Sequence, residues 1–113
     1  MSLAQLPNPV IAARVLLDSF REMKDEEYEK ALGDTLRRGE IFAASYDAEF
    51  SASLSEADAA RYGAFRQPFL NAFDSLKKVS DCRRLSMAYL AQTIAWWQLV
   101  SAFRTLYGKP LPE

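Results

Sequence analysis

Between Arg84 and Arg104 the chain carries nineteen consecutive residues without a charge, Leu85 to Phe103, LSMAYLAQTIAWWQLVSAF. An uncharged run of about 18 or more residues is long enough to cross a bilayer as a helix. Ser86, Gln92, Thr93, Gln98 and Ser101 interrupt this one, and at about 100° per residue they fall on all sides of the helix. The length criterion for a membrane span is met and the hydrophobicity criterion is missed. The run therefore predicts a helix buried in protein on most of its sides. Tyr89, Trp96, Val100, Phe103 and Tyr107 make one apolar face, and Met87, Leu90, Ile94 and Trp97 a second, roughly opposite part of the first.

The segments that must surround this helix are themselves helical by punctuation. Asn8 before Pro9 is an N-cap with proline at the first helical position, and Val10, Ile11, Val15, Leu17, Phe20 and Met23 recur with helical spacing, which predicts a helix from Pro9 to Met23. Lys24-Asp25-Glu26-Glu27 places three carboxylates where the dipole of a second helix favours them. Leu32, Leu36, Ala43, Tyr46 and Phe50 continue its apolar face, with a break or bend expected near Gly39. Ser55 opens a third segment as a capping-box residue, followed by Tyr62, Phe65, Phe69, Phe73 and Leu76. Pro68 inside that pattern predicts a kink or a two-helix corner near Arg66-Gln67. Ser80 caps and Asp81 starts the last helix, which should reach Tyr107 and close on Gly108 and Pro110. At 113 residues and 50 % apolar content this makes one all-α domain over 1–113, a small helical bundle of four to five helices with a long C-terminal helix and flexible ends at 1–7 and 109–113.

Composition limits the chemistry. With no histidine, Ser-His-Asp and Cys-His nucleophiles, histidine-ligated zinc and the Glu-x-x-His pairs of di-iron bundles are excluded. One cysteine, Cys82, closes no intrachain disulfide and builds no thiolate cage, and together with the opening Met-Ser-Leu-Ala-Gln-Leu-Pro this suits the cytoplasm. Cys82 at the start of the last helix, beside Arg83-Arg84, has the setting of a reactive thiol, against which stands the commoner role of a small buried side chain. Glycine-rich phosphate loops, a Gly-x-Ser-x-Gly elbow and a calcium loop are missing from the sequence. No catalytic, cofactor-binding or metal-ligating residue is identified, and no cofactor is expected. Fourteen basic against fifteen acidic residues give a net charge of -1, so direct nucleic-acid binding is not expected either. The basic cluster Lys77-Lys78-Val79-Ser80-Asp81-Cys82-Arg83-Arg84 has the look of a helix-turn-helix junction. The helix after it, however, lacks side chains to read base edges, and a solvated junction is the simpler meaning. Glu26 with Lys30, Asp34 with Arg38, Asp58 with Arg61 and Asp81 with Arg84 have the spacing of solvated ion pairs.

What remains is recognition through shape. Three aromatic stripes, Phe42/Tyr46/Phe50, Phe65/Phe69/Phe73 and the face containing Trp96, align side chains at i+3 or i+4. Core packing is the ordinary role of such stripes. The last helix carries more apolar face than three short neighbours readily cover, which predicts a homodimer joined through it or through the 42–50 stripe. Interface centres are rich in tryptophan, tyrosine and arginine, so the candidate partner-binding or self-association residues are Phe42, Tyr46, Phe50, Trp96, Trp97, Phe103, Arg104 and Tyr107.

Over its whole length, in its opening Met-Ser-Leu-Ala-Gln-Leu-Pro-Asn-Pro-Val, its helical reading and its missing catalytic groups, the chain resembles the QslA-like antiactivators of LuxR-type quorum-sensing regulators. The resemblance implies a cytoplasmic homodimer that binds the regulator's ligand-binding domain, competes with its dimerisation and keeps it from DNA. It rests on no motif and so transfers no binding residue. Two other readings fit the same residues: an inhibitor of a nucleic-acid-processing complex, as phages encode, and a bundle holding an apolar small ligand.

Overall fold

Asn8 caps the first helix as its side chain allows: Oδ1 accepts the backbone N–H of Val10 at 2.8 Å and of Ile11 at 3.4 Å, with Pro9 at the first turn. The computed structural model describes residues 8–45, 52 and 55–106, with the backbone alone at 41–45, 58, 61, 62 and 103–106. Over these residues the chain is all-helical, with α1 at Pro9–Glu22, α2 at Asp25–Ser45, α3 at Glu56–Val79 and α4 at Arg83–Leu106. Tyr46, Phe50, Tyr107 and the expected flexible ends lie outside the described residues.

α4 is the axis around which the other helices pack. Phe20 of α1 clusters with Leu90 and Ala91, and Ala13 with Ala95, Leu99 and Val100, so α1 runs antiparallel to α4. On α3, Phe73 and Leu76 pack at the level of Leu90 while Phe69 meets Trp96, again antiparallel. Tyr28 of α2 meets Ser86. Ala31 and Arg38 lie further along, beside Ile94 and Trp97, so α2 runs parallel to α4. Ser86, Leu90, Ala91, Thr93, Ala95, Trp96, Leu99 and Val100 are all buried within the single chain. The other helices thus supply cover that the charge-free run, taken by itself, would ask of a second molecule. Within the described residues α4 spans 24 residues, as does α3, and no described helix is long and apolar enough to cross a membrane.

Several local expectations need correction. On α1 the buried side is Pro9, Ala13 and Phe20, whereas Ile11 and Val15 are 60 % and 64 % exposed. Spacing alone could not choose between two apolar faces, and the small Ala13 wins because it lets α1 approach Ala95 closely. α3 runs unbroken through Pro68, with no two-helix corner. Pro68 and Ala64, whose carbonyl loses its usual N–H donor, are both exposed residues, while Phe65, Phe69 and Phe73 hold the helix to the core. Ser80 does not cap α4: its hydroxyl donates to the Lys77 carbonyl at the end of α3, and the helix starts two residues later than Asp81. Cys82 takes the position before it, its carbonyl accepting the N–H of Ser86 at 2.9 Å.

α2 also continues unbroken through Gly39, and the glycine has a reason that concerns packing. Gly39 is buried, and a methyl group there would collide with the ring of Phe73, whose Cδ2 would lie only 3.0 Å away. Lys77 sits over the same ring, with Nζ 4.9 Å from the centroid and 3.2 Å from Glu40. The bond to Glu40 raises the Lys77 pKa above its ordinary value. Gly33 faces open space. Gly33→Ala should therefore raise stability by up to about 1 kcal/mol through helix propensity. Gly39→Ala, with the same gain in propensity, should lower it by about 1–3 kcal/mol through overpacking. Thermal unfolding followed by circular dichroism measures both, and equal effects would refute the close contact.

Candidate functional site

One polar network joins three helices where α1 ends and α2 and α4 begin. Arg83, the first residue of α4, donates from Nη2 to the carbonyls of Phe20, at 2.7 Å, and Met23, and from Nη1 to the Asp25 carboxylate. Its guanidinium thus occupies the negative end of α1 while holding the first residue of α2. The same group lies 4.8 Å from the centroid of the Tyr28 ring. Tyr28 bonds through its hydroxyl to Ser86 Oγ, and Ser86 also lies within hydrogen-bond distance, 3.2 Å, of the Arg83 carbonyl. Burial raises the Tyr28 pKa above its ordinary value, against the opposing influence of Ser86 and the positive charge of Arg83. The polar groups of this cluster satisfy one another. It is a structural clamp that draws Arg83 into the fold, while Lys77, Lys78, Asp81 and Arg84 of the basic junction stay exposed to solvent.

The open surface features lie elsewhere. A groove of about 330 Å³ runs between α1 and α3 over α4, lined by Val10, Ala13, Arg14, Leu17, Phe65, Pro68, Phe69, Ala88, Ala91 and Gln92. Beside it, Val10, Ile11 and Val15 form an exposed apolar strip on α1. Between α2 and α4 a more polar depression of about 310 Å³ is bounded by Ala31, Asp34, Thr35, Arg38, Ile94, Trp97 and Gln98. Asp34 binds Arg37 by an ion pair, one residue earlier than the i,i+4 partner that spacing suggested.

The structure separates the sequence-derived candidates. Trp96 is a core residue, 3 % exposed and stacked on Phe69 at 5.7 Å between centroids, so it presents no surface to a partner. Trp97, one position on and so rotated about 100°, is half-buried at the α2–α4 depression. Phe42 lies on α2, and Phe103 and Arg104 on α4, with side chains outside the described residues, as are Tyr46, Phe50 and Tyr107 entirely. Cys82 is a half-buried free thiol. Among the described residues no three aspartate, glutamate or cysteine side chains converge as a metal-ion site. Sequence reasoning missed Tyr28, Arg14 and the Ile11/Val15 strip as a surface. Tyr28 was recoverable, since it stands one turn before Leu32 on the same face.

Comparison of the chain with protein-family models, with curated proteins and with solved structures finds no match.

The clamp makes stability depend on pH in a defined direction. A phenol whose folded pKa is raised stabilises the protein fully below the unfolded value, about 10, and that contribution is lost as pH rises through the folded value. Tyr28→Phe should cost about 1 kcal/mol at pH 8 through the lost bond to Ser86. The gap between wild type and variant should then narrow above about pH 10, because only the wild type has this group to ionise. Urea unfolding at pH 8 and pH 11 measures it, and a constant gap would contradict a buried, proton-retaining Tyr28.

Proposed function

We propose that this chain is a non-enzymatic, cytoplasmic protein-interaction module, a homodimer that inhibits a LuxR-type transcriptional regulator by binding its ligand-binding domain. Binding there blocks the regulator's own dimerisation and with it DNA binding. The observation that supports an interaction role is the strip of Val10, Ile11 and Val15, 37 %, 60 % and 64 % exposed on one helix. Branched apolar side chains contribute little to the fold at such exposure, and contiguous apolar surface of this kind is what a protein partner covers. The choice of partner rests on the whole-chain resemblance to QslA-like antiactivators.

Self-association uses a different side. Ile94 and Trp97 remain half-buried at the α2–α4 depression beside Arg38, which combines the apolar and guanidinium chemistry of interface centres. Light scattering at micromolar concentration should give twice the chain mass of 12.8 kDa, and a strict monomer removes the dimer from the proposal.

The decisive experiment adds the protein to a dimeric, autoinducer-bound LuxR-type regulator. A mixed complex holding regulator monomer should form and operator binding should disappear. A regulator that keeps both its dimer and its DNA under excess protein overturns the mechanism. Ile11→Lys and Val15→Lys, made together, should leave the melting temperature nearly unchanged, as exposed substitutions do. They should weaken regulator binding by at least about 30-fold if the strip is the centre of the interface.

A further inference from the structure

We propose that the groove between α1 and α3 binds one fatty-acyl carboxylate, its chain lying against Leu17, Phe65 and Phe69 and its head group held by Arg14 and Gln92. The groove is apolar except at these two positions. Among the described residues neither the Arg14 guanidinium nor the Gln92 amide has a hydrogen-bond or ion-pair partner, whereas Arg21, about two turns further along α1, is engaged by Asp18, as Arg37 is by Asp34 and Arg83 by Asp25. Arginine is permanently charged and presents a fork of donors that fits a carboxylate, while the Gln92 amide offers a further N–H at the half-buried side of the groove. A ligand must therefore be long and apolar with a single anionic end.

A groove apolar everywhere but at Arg14 and Gln92 suits an acyl chain with one anionic terminus. An extended alkyl chain is slender enough to reach Ala13, Phe69 and Ala91, the buried residues at its base. The volume also falls at the small end of the range for ligand pockets, as a single chain requires.

Isothermal titration of the isolated protein with octanoate, decanoate and dodecanoate, each below its micellar concentration, tests this without any regulator present. Its failure would thus leave the antiactivator reading untouched. Saturable one-to-one binding is expected, tightening about fourfold per added methylene. Dodecanoate should bind at least tenfold more tightly than dodecyltrimethylammonium. Arg14→Gln should remove that preference while leaving dodecanol binding intact, and Ala88→Leu, at an exposed position in the groove wall, should weaken all chains without lowering the melting temperature. Absence of saturable binding, equal affinity for the carboxylate and the ammonium amphiphile, or an unaltered preference in Arg14→Gln would each overturn the proposal.

Discussion

A helix that is apolar on most sides needs neighbours on most sides, and in this chain the requirement falls on α4. Its surface alternates bulk with gaps: Leu90, Trp96, Leu99 and Val100 fill space, whereas Ala91 and Ala95 admit the backbone of α1 near Ala13. Since association into a monomer core is driven by removing apolar area from water, the close approach permitted by the alanines matters as much as the large side chains do. The antiparallel α1 and α3 and the parallel α2 are the outcome of covering one helix with consecutive segments of the same chain.

That arrangement fixes what is left over. α1 has two apolar faces, and turning Ala13 and Phe20 inward necessarily turns Ile11 and Val15 outward. The groove next to them exists because Ala88 and Ala91 leave the space between α1 and α3 unfilled over α4. The Arg83 clamp, by contrast, consumes charge: the carbonyl end of α1, the first carboxylate of α2 and the face of Tyr28 all converge on one guanidinium. Surface ion pairs such as Asp18 with Arg21 contribute little, but a partly buried fork that satisfies two helix-terminal carbonyls fixes the corner between α1 and α2.

The helical class, the capping of α1 by Asn8, the acidic start of α2, the start of α3 after Ser55 and the central burial of the charge-free helix were legible in the sequence because each depends on local chemistry or on one helix's own periodicity. Which of two apolar faces points inward was not, since that depends on the neighbour's small residues. Gly39 reads as a helix breaker when only α2 is considered and as a contact when Phe73 is. Pro68 reads as a corner until the packing of Phe65, Phe69 and Phe73 on the core is known. The same limit applies to the surface: Trp96 and Trp97 are indistinguishable by composition, and only the rotation of α4 sends one to the core and the other to its edge.

The seat of Phe73 against Gly39 also bears on how this sequence can change over generations. The two positions lie on different helices and 34 residues apart, yet any side chain at one takes volume from the other. Descendants of this chain can enlarge position 39 only after, or together with, a reduction at 73, and Lys77, resting on the same ring, would lose its platform in the process. A change that looks favourable in either helix alone is closed off by the other, so the pair should persist or vary jointly wherever this fold is inherited.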